Sequence, residues 1–171
     1  MESYVSPSAT GSTSKVLFYL TDIIGHTFIN AQLLADCFAA HGYHVVMPDL
    51  FRGDPWPMDA SVRPPALTLQ QWLQNHQLSQ VEPVVLDVLG GIKTELKPDK
   101  IVAVGYCFGA KYVTRLLAKD IDVGFVAHPS LVELEELANI KAPLAIAAAG
   151  IYIPLSPSPA LQSGLIESRN R

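Results

Sequence analysis

Cysteine is scarce in this chain. There are two in 171 residues, Cys37 and Cys107. Two cysteines do not make a disulfide framework, and they fit a reducing compartment where both stay thiols. Charge is scarce too. At 16% of residues and a formal net charge of -4, the chain has no basic excess for nucleic acid or an anionic membrane. No apolar run reaches the roughly 18 residues that a membrane span needs. The opening Met1-Glu2-Ser3-Tyr4 has neither the basic nor the apolar region of a secretory signal. No N-x-[ST] acceptor occurs. These absences lead to the expectation of a cytoplasmic protein without nucleic-acid or membrane partners. What is plentiful is hydrophobic residues, 49% of the chain, enough for a real core in one domain of this length.

Apolar runs alternate with amphipathic stretches. Lys15–Leu20, Tyr43–Met47, Ile101–Val104, Val123–Ala127 and Leu144–Ala149 read as strands buried on both faces. Helices are expected over Phe28–Ala40, Thr68–Gln77, Val84–Leu96, Ala110–Leu117 and Leu131–Ala138. The first places Cys37 in the core and closes at His41-Gly42. Gly90-Gly91 interrupts the third. Ser6–Ser14 reads as a loop, and Asp49–Pro65, rich in proline, as an irregular excursion. This alternation predicts an α/β fold with a doubly wound, mainly parallel sheet of about five strands in the spatial order 2-1-3-4-5. The order reverses between the first and third strands, and ligands bind beyond the carboxyl ends of the strands at such a point. The α/β domain is expected over residues 1–149. From Gly150 to Arg171 the chain turns Pro/Ser-rich and loses its periodicity, which reads as a divergent, disordered tail.

The loops that end those two strands hold the informative residues. Gly105-Tyr106-Cys107-Phe108-Gly109 follows a strand and opens a helix, the setting in which G-x-S-x-G lifts a nucleophile onto a sharp turn. Here the central residue is cysteine, and a helix N-terminus favours its thiolate. The competing reading is a buried structural cysteine. An enzyme of this kind holds its oxyanion with two backbone N–H groups, here those of Phe108 and of Ile23 in Thr21-Asp22-Ile23-Ile24-Gly25-His26. Asp22 reads equally as a turn residue. His26 reads as a turn or surface histidine, and His41, His44 and His76 as surface residues. Asp49 reads as a loop anchor. Arg52 is either a surface residue or a cleft cation for an anionic substrate group. His128, at the end of the fourth strand, is either a cleft residue or a satisfied structural histidine. No set of His, Cys, Asp and Glu has metal-ligand spacing. The dinucleotide fingerprint is absent, and a phosphate loop fails on its glycine interval and because Tyr112, not Ser or Thr, follows Lys111. No metal or cofactor is expected.

Taken in order, five motifs resemble the dienelactone hydrolase family of α/β-hydrolases over Tyr4–Ala149. They are Leu20-Thr21-Asp22-Ile23-Ile24-Gly25-His26, Leu34-Ala35-Asp36, Pro48-Asp49-Leu50-Phe51-Arg52-Gly53-Asp54-Pro55, Gly105-Tyr106-Cys107-Phe108-Gly109-Ala110-Lys111 and His128-Pro129-Ser130. The last is similar to the eukaryotic, fungal-type branch. The resemblance implies a small-molecule lactone or ester substrate, hydrolysed by a Cys–Asp–His triad through a thioester. It implies Cys107 as nucleophile and Ile23 and Phe108 as oxyanion donors. It places Asp22 where relatives carry an acid against the resting thiol. The chain also departs from the family. A triad Asp is expected just after Leu144–Ala149 in a stretch like A-x-x-D, but the sequence reads Ala149-Gly150-Ile151-Tyr152. No Asp follows Asp122 and no His follows His128. The resemblance therefore implies that the last strand and helix are missing, through truncation, alternative splicing or an error in the gene model. Such a chain is a hydrolase by family, or an inactive remnant that binds a ligand or partner. Leu144–Ala149 would then be an apolar sheet edge open to self-association.

Overall fold

The computed structural model describes residues 2–149, so the tail expected over 150–171 lies outside the described residues. Six strands form one sheet in the order β1-β3-β2-β4-β5-β6. Five are the apolar runs: β2 (Lys15–Leu20), β3 (His44–Pro48), β4 (Lys100–Tyr106), β5 (Val123–Ala127) and β6 (Leu144–Ala147). They lie parallel, in the expected order. The sixth is an addition. β1 (Ser3–Ser6) pairs antiparallel with β3 and makes the sheet mixed. It is too polar for a hydrophobic pattern to reveal. Side chains fasten it instead, with Tyr4 Oη and Ser6 Oγ both donating to Asp36 Oδ1, at 2.8 and 2.7 Å. Ser6 first and Tyr4 second hold the Asp36 carboxyl below the usual carboxylate range.

The helices are α1 (Ile29–Ala40), α2 (Leu69–Asn75), α3 (Leu78–Gly91), α4 (Gly109–Leu116) and α5 (Leu134–Ala138). Thr68 and Gln71 form a reciprocal capping box that starts α2. α3 begins before Pro83 and not after it. Pro83 forfeits one hydrogen bond, but the buried stripe of Val81, Val84, Val85 and Leu89 holds the helix against the sheet. Gly90-Gly91 does not interrupt it. The backbone runs on as a π-helical turn over Ile92–Leu96 and stops at Lys97 with φ 47°.

Two cores flank the sheet. Along β2 the side chains alternate, as a strand dictates. Val16, Phe18 and Leu20 join residues of α3 and α4, while Leu17 and Tyr19 meet Ala35 and Ala39 of α1. Each large apolar side chain so buried contributes about 1.5–3 kcal/mol. Cys37, expected in the core, is exposed. The residues of α1 that bury fully are Ala35 and Ala39, one turn apart, and Cys37 faces the other way.

The proline-rich excursion between β3 and α2 is held down by aromatic packing. Phe51 sits 5.0 Å from Trp72 and 5.3 Å from Phe108, centroid to centroid, and Trp72 stacks on His76 at 4.0 Å. His76 is thus buried, contrary to its reading as a surface residue. Its Nδ1 bonds to Trp72 O at 2.8 Å. Arg63 lies 4.3 Å above the Trp56 ring. No helix among the described residues is long and apolar enough to cross a membrane.

Candidate active site

β2 and β4 are parallel neighbours, with Leu20 opposite Gly105, so both end at the same edge of the sheet, and the strands that follow them, β3 and β5, lie on opposite sides of the pair. The loops that follow therefore meet at one level. β4 ends at Tyr106, and Cys107 takes φ 49°, a left-handed conformation that L-residues avoid. α4 begins two residues later, with Phe108 as its helical N-cap. This is a sharp strand–turn–helix elbow with the thiol at its tip. Packing explains both glycines. A Cβ on Gly105 would stand 2.7 Å from Val113 Cγ2 and 2.8 Å from Ala110 Cα. One on Gly109 would stand 2.5 Å from the Leu20 carbonyl carbon.

The turn after β5 grips the elbow from the side. Cys107 N–H donates to Ala127 O at 3.1 Å, and Ser130 N–H donates to Cys107 O at 3.1 Å. The Cys107 sulfur lies 3.4 Å from Ser130 Oγ. Ser130 stands last in the His128-Pro129-Ser130 motif. Its one signal was its place just past the end of a strand at the sheet's carboxyl edge. Phe108 is buried among Phe51, Trp72 and Tyr112. Neither the Phe108 nor the Ile23 N–H makes a hydrogen bond among the described residues. Ile23 is fixed from its other side, its carbonyl accepting from Trp56 N–H at 2.7 Å.

Asp22 is folded into its own turn. Its Oδ1 accepts from Ile24 N–H at 2.9 Å, and its carbonyl accepts from Gly25 N–H at 3.3 Å. No hydrogen bond joins Asp22 to the Cys107 sulfur among the described residues. A carboxylate two residues before a free N–H closes an Asx turn more readily than it reaches across a cleft. Asp22 and His128 share a hollow of about 150 Å³ with Tyr19, Thr21 and Tyr106. The exposed His128 has φ 38°, and its ring lies 6.2 Å from that of Tyr106. Burial pushes the Tyr19 and Tyr106 phenols up, so both keep their protons at neutral pH. Arg52 is exposed, with φ 54°. Asp49 anchors its loop as expected, accepting from Phe51 N–H at 3.1 Å and Gly53 N–H at 2.6 Å.

His26 is buried, not on the surface, between Asp49 Oδ1 (3.6 Å from Nδ1) and Glu2 Oε1 (3.5 Å from Nε2). One ligand atom from each of these three residues falls within 4.8 Å of the others, a grouping that no sequence spacing announces. The two acids face opposite ring nitrogens. At 3.5 and 3.6 Å both carboxylates flank the ring without hydrogen-bonding it, and the buried Nε2 has no hydrogen-bond partner among the described residues.

The fold is that of an α/β-hydrolase, with a cysteine on the turn between β4 and α4. Comparison with known proteins agrees. The sequence profile of the dienelactone hydrolase family matches residues 1–152. Hydrolase pyvD of Aspergillus violaceofuscus is 47% identical over 146 residues, covering 85% of this chain and 58% of its own length. Hydrolase tropI of Talaromyces stipitatus is 44% identical over 158 residues, covering 87% and 61%. A carboxymethylenebutenolidase homolog of Xenopus tropicalis is 30% identical, covering 84% and 57%. Among solved structures, the dienelactone hydrolase-like promiscuous phosphotriesterase P91 from metagenomic libraries has a TM-score of 0.66 at 18% identity, covering 93% of this chain and 66% of that one. The chain belongs to the dienelactone hydrolase family, a family of hydrolases. It spans about three-fifths of the length of the curated relatives it matches.

Proposed function

We propose that this chain carries the acylating half of a cysteine hydrolase for lactones or small carboxylic esters. Cys107 thiolate attacks the carbonyl carbon. The N–H groups of Phe108 and Ile23 take up the negative charge on the carbonyl oxygen; the C–O bond then breaks, the departing alkoxide takes a proton from solvent (in a lactone it stays tethered to the acyl chain), and a thioester remains on sulfur for water to resolve. The observation that carries this reading is Cys107 at φ 49° on a strand–turn–helix elbow, beside two backbone N–H groups with no other acceptor among the described residues.

The chain's content sets the pace of the second half. Within these 171 residues no Asp follows Asp122 and no His follows His128, so a protein made of these residues alone would have to activate water without that pair. Removing a triad member slows turnover by several orders of magnitude. Acylation is thus expected to outrun deacylation. At the limit, the chain binds and traps substrate without turnover, a reading that the same lack of Asp and His favours.

Activated esters provide the test. p-Nitrophenyl acetate is expected to release about one equivalent of p-nitrophenolate per chain and then almost stop. Intact-mass and peptide analysis should place one acetyl group on Cys107. Cys107→Ala should remove the burst, and a burst that survives this substitution would take Cys107 out of the mechanism. Sustained turnover that depends on Cys107 would show that another group supplies the base.

A further inference from the structure

We infer that Ser130 is the positioning residue of the nucleophile, its hydroxyl donating to the Cys107 sulfur and favouring the thiolate; this rests on the reading of Cys107 as the attacking group. Ser130 is only 8% exposed. Its Oγ lies 3.4 Å from the sulfur, and that is the only hydrogen bond its side chain makes among the described residues. A buried hydroxyl needs a partner, and here the thiol is the partner. In the thiolate form sulfur only accepts, so the O–H must donate.

The main chain around Ser130 is pinned from several sides. Its N–H donates to Cys107 O, and His128 N–H donates to Ala147 O at 2.8 Å. Lys111 Nζ donates to Leu131 O at 2.8 Å. His128 and Leu131, on either side of Pro129-Ser130, both take left-handed φ, 38° and 60°. A turn held this tightly aims the hydroxyl. The main-chain bonds shape the elbow and the side chain touches sulfur, so substitution at Ser130 separates the two effects.

A nucleophilic thiol needs something to stabilise its anion. No basic side chain among the described residues hydrogen-bonds to this sulfur. Lys111 is spent on Leu131 O and Glu136, and the His128 ring lies beside Tyr106. Asp22, where an acid was expected against the thiol, is occupied by Ile24 N–H. What remains is the N-terminal end of α4 and the Ser130 hydroxyl. A donor that bonds more strongly to the anion than to the neutral thiol lowers the thiol pKa.

The test is the pH dependence of iodoacetamide alkylation of the full chain, with the Cys107 and Cys37 peptides read separately by mass spectrometry. Ser130→Ala is expected to move the Cys107 profile up by about one pH unit, roughly a tenfold loss of thiolate at pH 7. The more basic thiolate is intrinsically faster, so the net rate at that pH should fall about threefold. Ser130→Thr keeps the hydroxyl and should restore the profile. The exposed Cys37 should react alike in every variant, which together with circular dichroism checks the fold. If Ser130→Ala does not fold, Ser130→Gly also removes the hydroxyl and gives the same reading. An unchanged Cys107 profile in either folded variant overturns the inference. The p-nitrophenyl acetate burst keeps the two claims apart. A wild-type burst without a Ser130 effect sinks Ser130 alone, whereas a Ser130 effect without any burst sinks the nucleophile reading and leaves the contact standing.

Discussion

Gly109 and Leu20 touch main chain to main chain, so the first residue of α4 rests directly on the end of β2. A methyl group on Gly109 would meet the Leu20 carbonyl group, with 2.5 Å to its carbon, and the Thr21 oxygen at 2.7 Å. The elbow that carries Cys107 and the loop that carries Ile23 are therefore built as one piece.

Gly109→Ala should be markedly destabilising, because none of the three atoms it would meet is the end of a flexible side chain. Overpacking of this kind costs about 1–3 kcal/mol or more, and each kcal/mol lowers Tm by about 2–4 °C in a chain of this size. Gly90→Ala is the matched control. Its Cβ meets nothing within 4 Å, and it lies in α3, where alanine is the better helix former. Thermal unfolding followed by circular dichroism should rank the two far apart; equal Tm values would mean that the elbow yields.

Glu136 is expected to be a keystone of stability. Its buried carboxylate lies 2.9 Å from both Lys111 Nζ and Arg115 Nη1 and accepts Glu133 N–H at 2.9 Å. Glu136→Ala would strand Lys111 in a site with little water. Breaking a buried pair from one side costs about 3–5 kcal/mol, and the lower end is expected here because Arg115 also has Glu82. Urea unfolding measures it. Since Lys111 also holds Leu131 O, the Cys107 burst should slow in the same variant.

Asp122 should make stability depend on acid. Lys100 Nζ donates to it at 2.7 Å and Ile101 N–H at 2.9 Å, and these partners, Lys100 first, hold its carboxyl below the usual range. A carboxyl lowered by folding stabilises the fold above its unfolded pKa of about 3.9. The contribution is lost as pH falls from there through the depressed value. Asp122→Asn should thus be slightly less stable than wild type at pH 7, and the gap should close below about pH 4. The effect is small because both side chains are solvent-screened. A gap of constant size down to about pH 2 would contradict the assignment.

β6 is expected to drive self-association. Ala145, Ile146 and Ala147 are exposed, the strand carries no charge, and no described strand pairs with its outer edge. An edge of this kind is a template for another chain. Size-exclusion chromatography with light scattering should find oligomers that Ile146→Lys reduces. A wild-type monomer at high concentration would remove β6 as the contact.

The parallel core of the fold was legible because strands buried on both faces announce themselves as apolar runs. β1 was not, since its pairing rests on Tyr4 and Ser6 bonding to Asp36 across about 30 positions of sequence. The elbow was legible because its glycines are demanded by local crowding. Its neighbour Ser130 was not, because the contact with Cys107 depends on how the turn after β5 is bent. The exposure of Cys37 and the burial of His76 escape the sequence for another reason. Hydropathy finds an amphipathic stretch without fixing which way a mildly apolar residue faces, and it says nothing about an imidazole stacking on Trp72.

The aromatic cluster under the excursion gives the molecule an optical probe of its own. The chain has two tryptophans, and both belong to this one region: Trp72 is buried against His76, and Trp56 is half-covered by Arg63. Tryptophan emission therefore reports on the excursion and its seat on Phe108, provided the excitation is chosen to spare Tyr4, Tyr19 and Tyr106 of the sheet. A spectral shift that precedes the loss of circular dichroism would record the covering segment lifting from the elbow while the strands remain paired.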